Sequence, residues 1–175
     1  MMSRHFKAAA ISCTTIEMKV FIVSVFLLYQ SADALLDTGY AQYQQGIHKE
    51  AIKSFNQVID LDPNNPEAYF LRAMSFQSIQ WTELAIADLK QAIVLKTDYA
   101  EAFQQLGFLY LIKQAPDLAI EALNRAILLA PELADLYINR GSAQCMLGNG
   151  EKANQDYQKA RKMGINYTEY MNCDQ

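Results

Sequence analysis

Alanine recurs at Ala51, Ala85, Ala119 and Ala153, an interval of 34 residues with no slippage. A period of that length belongs to helix-turn-helix arrays, in which each unit leaves an apolar face for its neighbour to cover. With units counted from Ala32, Pro66, Ala100 and Ala134, the eighth position is Gly39, Ala73, Gly107 and Gly141, always small. The fourth position is Leu35, Tyr69, Phe103 and Tyr137, and the twenty-fourth is Phe55, Leu89, Leu123 and Tyr157, all large and apolar. Small groups let two helices approach and large ones fill the space between them. The twenty-seventh position, Val58, Ala92, Ala126 and Ala160, continues the pattern.

Each unit therefore reads as helix A, turn, helix B, turn. Pro63 and Pro131, at the thirty-second position, lack the N–H that would continue the second helix. The pattern predicts A helices at about 34–45, 67–79, 101–113 and 135–147, and B helices at about 49–60, 83–95, 117–129 and 151–163. The turns between them carry Gly46, Gln80-Trp81, Ala115-Pro116 and Gly148-Asn149-Gly150, and Pro116 suits a first helical turn.

Stretches such as Ala51-Ile52-Lys53-Ser54-Phe55, followed by Leu61-Asp62-Pro63-Asn64-Asn65, resemble the tetratricopeptide repeat (TPR) family over about residues 32–165. Local departures are Thr97 and Ile165 in place of the terminal proline, Arg72 and Arg140 in place of leucine at position seven, and Gln42 and Gln144 in place of an aromatic at position eleven. The resemblance implies an all-α fold, a right-handed α-solenoid of TPR helix-turn-helix units at 32–65, 66–99, 100–133 and 134–167, with a tail at 168–175. It also implies a protein-binding scaffold that takes a peptide or helix of its partner on a wall formed by the A helices.

The family pattern turns positions two, five, six, nine, twelve and thirteen toward that wall. They hold mostly apolar and amide groups, including Leu36, Asp37, Leu71, Leu111, Ile138, Cys145 and Met146. Tyr40, Phe70, Met74 and Phe108 are the expected anchors, because aromatic and methionine side chains offer adaptable contact area. Gln77, Gln104, Gln105 and Asn139 are the expected hydrogen-bonding partners of a bound backbone. Family members that grip the carboxyl-terminal tails of heat-shock chaperones use lysine, arginine and asparagine at set positions. Those positions hold Leu36, Tyr40, Leu71, Glu101 and Gln105 here, or Phe70, Met74, Gln105, Asp135 and Asn139 one repeat later, with no cation for a terminal carboxylate. The acidic row Asp33, Glu67, Glu101 and Asp135 is read as helix N-terminal charge, typically worth ~0.3–1 kcal/mol each, rather than as a basic-peptide site.

Ahead of the repeats, Val20 to Tyr29 form an apolar run of signal-peptide length, preceded by Arg4, Lys7 and Lys19 and followed by Ser31-Ala32-Asp33-Ala34. Residues 1–34 are thus expected to be a leader cleaved after Ala34, giving an exported protein, periplasmic or secreted. The alternatives are a membrane anchor or a helix packed on the first repeat, and the run is shorter than the ~20 residues a spanning helix needs. Met18-Lys19 would itself make a compact signal start.

Composition narrows the function classes. Of 175 residues 51% are apolar and 19% charged, with a net charge of -4, so neither nucleic acid nor an anionic membrane is a favoured partner. Cys13, Cys145 and Cys173 show no metal-ligand spacing, nor do His5 and His48, and neither a metal nor another cofactor is expected. In an oxidising compartment Cys145 and Cys173 are free to pair. The chain has no nucleophile elbow, phosphate-cradling loop or H-E-x-x-H motif, and the wall offers Asp37 without a histidine, so the chain reads as a non-enzyme. After Met163, Ile165, Tyr167, Tyr170 and Met171 are available to cover the last helix. A structural subunit that self-associates through that end, as part of an envelope or membrane-tethered assembly, is the alternative function.

Overall fold

The computed structural model describes residues 31–165 and residue 173. The apolar run at 20–29 and Tyr167, Tyr170 and Met171 lie outside the described residues. Contacts divide the chain into two compact units, Met1–Asn64 and Asn65–Gln175. In the first, α1 spans residues 31–44 and α2 spans His48–Leu61. In the second, α3 (Pro66–Ser78), α4 (Thr82–Leu95), α5 (Ala100–Ile112), α6 (Pro116–Leu129), α7 (Ala134–Met146) and α8 (Gly150–Lys162) follow one another as hairpins. Described residues outside the helices are turns and short links. Among the described residues no helix is long and apolar enough to cross a membrane.

The periodic alanine is fully enclosed in each hairpin: Ala51, Ala85, Ala119 and Ala153 are all 0% exposed. The small eighth position faces the large twenty-fourth. A Cβ built on Gly39 would stand 2.6 Å from Phe55, one on Gly107 2.6 Å from Leu123, and one on Gly141 2.5 Å from Tyr157. Glycine there gives the opposing side chain the room a methyl would take.

The helix ends follow local chemistry. Asn65 caps α3 by accepting from the Ala68 N–H at 3.0 Å, with Pro66 at the first helical position, and Pro116 opens α6 in the same way. Every A helix ends at a residue with positive φ: Gly46 at 78°, Gln80 at 63°, Gln114 at 54° and Gly148 at 73°. The following N–H then reaches back to the last full turn, as in Trp81 N to Phe76 O at 2.8 Å and Ala115 N to Tyr110 O at 2.9 Å. The third turn thus pivots on Gln114, one residue before the expected Ala115-Pro116.

Observed helices lie within about a residue of expectation except at α1, whose described part already begins at residue 31. The expected cleavage motif is therefore helical. Ala32 is buried, and the Thr38 hydroxyl donates to the Ala34 carbonyl at 2.7 Å. Beyond α8, Met163 and Ile165 pack on Ala134, Tyr137 and Ala160. Cys173 returns to Ala153 and Tyr157 and forms a disulfide with Cys145, their Cα atoms 5.2 Å apart.

Candidate functional site

The residues expected to meet a partner do not all behave alike. Gln104, Gln105 and Phe108 rise on one face of α5, at spacings that align successive turns, and Asn139 stands opposite on α7. With Asp135 and Ile138 they line one open pocket of about 340 Å³. Phe108 keeps over a third of its surface exposed, while the two glutamines, Ile138 and Asn139 are half-buried. The pocket combines an aromatic ring and a branched aliphatic chain with three amides and one carboxylate. That composition suits the backbone and one apolar side chain of a peptide.

Asp135 and Ile138 were not among the anchors expected from sequence. Asp135 reads as a helix-dipole charge and does occupy the first turn of α7, yet it also lines the pocket. Ile138 carried a signal in its wall position but is less conspicuous than an aromatic residue.

Phe70, Met74 and Gln77 stand on α3, outside this pocket, and are half-buried. The Phe70 ring packs against Tyr99, centroids 5.0 Å apart, so part of its surface is spent within the protein. Tyr99 is itself half-buried under the Lys96 ammonium, 4.4 Å from its ring. Its phenol is pushed up to about 12, first by burial and then by the charges of Glu67 and Glu101. The Gln77 Oε1 is shielded from solvent with no hydrogen-bond donor among the described residues. Tyr40, on α1 of the first unit, is 45% exposed.

Two expectations for the wall are corrected. Leu71 is buried, as helix packing demands of a large aliphatic group on an inward face. Cys145 faces α8, held by its disulfide and 3.3 Å from the Tyr157 hydroxyl. The arginines that replace leucine at position seven each pair with an acid of the following helix. Arg72 Nε and Nη2 each donate to Asp88 at 2.7 Å, and Arg140 Nε and Nη2 donate to Asp156 at 2.8 and 2.6 Å. Arg140 Nη1 also reaches Asn124 at 2.7 Å. The hydrogen bond to Asp156 holds the Arg140 guanidinium above its ordinary pKa. Among the described residues no group of three or more histidine, cysteine or acidic side chains is arranged to hold a metal ion.

Comparisons place this architecture. A TPR repeat family model matches residues 39–79, and a tetratricopeptide repeat model matches 66–99 and 100–133. The chain is 34% identical over 74 residues to the STIP1 homolog of Dictyostelium discoideum, covering 42% of this chain and 13% of that protein. It is 35% identical over 79 residues to DnaJ homolog subfamily C member 3 of Mus musculus, covering 45% and 16%. The chain thus matches only a small part of these relatives. A crystal structure of a MamA protein superposes with a TM-score of 0.73 at 30% identity, covering 76% of this chain and 73% of that one. The Pseudomonas aeruginosa PilF structure shares the fold, with a TM-score of 0.71 at 20% identity, covering 80% and 64%. The matched residues span more than half of the sequence, and the chain belongs to the tetratricopeptide repeat family.

Proposed function

We propose that this protein is an interaction scaffold that takes a peptide or helical segment of a protein partner on its A-helix face, centred on the α5–α7 pocket. The observation that carries this reading is the convergence of Gln104, Gln105, Phe108 and Asn139 on one open pocket of about 340 Å³. Phe108 and Ile138 receive an apolar side chain and the three amides pair with the segment's backbone, while Asp135 favours a neighbouring donor over an acid. The cations that grip chaperone tails in some family members are absent from the matching positions, so a terminal carboxylate is not the expected ligand.

The test is partner capture from the native host by tagged protein, followed by titration of the captured partner against Phe108→Ala and Asn139→Ala. Each substitution should weaken binding by about tenfold or more with the melting curve unchanged. Unaltered affinity in both would move the site away from this pocket.

A second reading is self-association. Val94 on α4 and Leu128 on α6 occupy equivalent positions and are 70% and 73% exposed, an apolar pair of the kind homomeric interfaces cover. A sedimentation coefficient independent of concentration would count against it. The scaffold is further proposed to be exported, with its leader cleaved after Ala34, a membrane tether being the alternative. The disulfide between Cys145 and Cys173 supports an oxidising compartment. Amino-terminal sequencing of the protein from its host decides the leader's fate. Cleavage after Ala34 would remove the buried Ala32 and shorten α1.

A further inference from the structure

In the second, third and fourth repeats, position seven of the A helix faces position twenty-three of the B helix that follows, sixteen residues on. In the second and fourth repeats these positions form the pairs Arg72–Asp88 and Arg140–Asp156. In the third they are Leu106 and Ala122, both buried. The recess beside the fourth-repeat pair holds about 280 Å³ and is lined by Arg140, Gln144, Lys152 and Asp156 among others. Its third-repeat counterpart has almost the same volume, about 290 Å³, but its apolar lining is Phe103, Leu106, Tyr110, Leu118 and Ala122. The space is alike and the chemistry is reversed.

Charge gathers at the rim of this apolar recess. The Lys90 ammonium lies 5.8 Å from the centroid of the Tyr110 ring, and the Arg125 guanidinium carbon 5.8 Å from that of Phe103. Both side chains are exposed, and among the described residues neither has a carboxylate within salt-bridge distance. Glu121 is the acid on the same rim, which leaves one positive charge in excess. α5 thus presents two different faces. Gln104, Gln105 and Phe108 serve the α5–α7 pocket, and Phe103, Leu106 and Tyr110 serve this one.

We propose that the third-repeat recess is a second docking site, taking an acidic peptide segment that inserts one bulky apolar side chain between α5 and α6 while its carboxylates meet Lys90 and Arg125. An aromatic or large aliphatic side chain matches the volume, and the ring-bound cations answer flanking acids. The site is independent of the α5–α7 pocket, so a scaffold with both holds two segments at once.

The probe is a fluorescein-labelled, end-blocked peptide with a central tryptophan flanked by glutamates, titrated by anisotropy beside its glutamine counterpart. The wild-type chain should bind the glutamate peptide saturably and the glutamine peptide about tenfold more weakly. Leu106→Arg with Ala122→Asp copies the pair the fold already accepts in two other repeats and should reduce affinity at least tenfold, with the helical circular dichroism retained. Phe108→Ala should leave this binding unchanged. Should the double variant fail to fold, the exposed-residue variants Arg125→Glu and Leu118→Glu decide, each expected to weaken binding several-fold. Absence of saturable binding, or affinity retained in these variants, overturns the proposal, as does equal loss in Phe108→Ala. Concentration-dependent sedimentation abolished by the same substitutions would make the occupant a second copy of the chain, and would overturn it too.

Discussion

Arg140 and Asp156 meet through two parallel hydrogen bonds of 2.8 and 2.6 Å, with the carboxylate side chain 9% and the guanidinium side chain 24% exposed. Removing one member of such a pair strands the other's charge, whereas removing both need cost little. Asp156→Ala should therefore destabilise the protein by about 3 kcal/mol in urea unfolding. Arg140→Leu combined with Asp156→Ala, the third repeat's solution, should recover most of that loss. Equal losses in the single and double variants would mean that the bridge contributes packing alone.

Gly107 gives a steric prediction. A methyl there would fall 2.6 Å from the Leu123 Cγ, which is branched and fully buried. Gly107→Ala should cost about 1–3 kcal/mol despite the higher helix propensity of alanine. Thermal denaturation will read this directly, and a rise in melting temperature would show that the hairpin gives way at that point.

Gln80 and Gln114 hold a backbone conformation that glycine adopts without cost, and the equivalent turns carry Gly46 and Gly148. Gln80→Gly and Gln114→Gly should each stabilise the chain by about 0.5–1 kcal/mol, the relief of left-handed strain exceeding the added unfolded-state entropy. The midpoint of urea unfolding is the measurement.

Tyr99 makes stability depend on pH at the alkaline end. Its phenol is pushed up from 10.0 to about 12 in the folded chain, so the unfolded chain loses its proton first as pH rises. The contribution is present in full below pH 10 and is lost as pH climbs through about 12. Tyr99→Phe should flatten that part of the stability profile, and an unchanged decline would assign it to other groups.

Much of the fold was legible because the repeat obeys sterics that leave marks at single positions. The invariant alanine, the small eighth residue and the large twenty-fourth each announce a contact, and the helices fall where those contacts require. The polar pairs were harder to read. Arg72 and Arg140 stood out one at a time, as departures from leucine, and only the helical hairpin reveals that Asp88 and Asp156 lie opposite. The candidate site was partly legible for a related reason. Wall positions follow from the resemblance to the family, which put forward Gln104, Gln105, Phe108 and Asn139, but a position in the repeat does not say what else a side chain touches. Phe70 spends part of its ring on Tyr99, and Cys145 turns to Cys173, partners contributed by links that carry no period of their own.

The alternation of charged and apolar pairs also bears on how such a chain avoids tangling. Tandem hairpins with nearly interchangeable small and large residues invite an A helix to close on the B helix of a neighbouring unit. For α3, docking on α6 in place of α4 would bring Arg72 against Ala122 and leave Asp88 without its cation. For α5, docking on α8 would set Leu106 over Asp156. Each exchange buries an unmatched charge, so the pairs act as an address that tells one hairpin from the next while the chain is still choosing its partners.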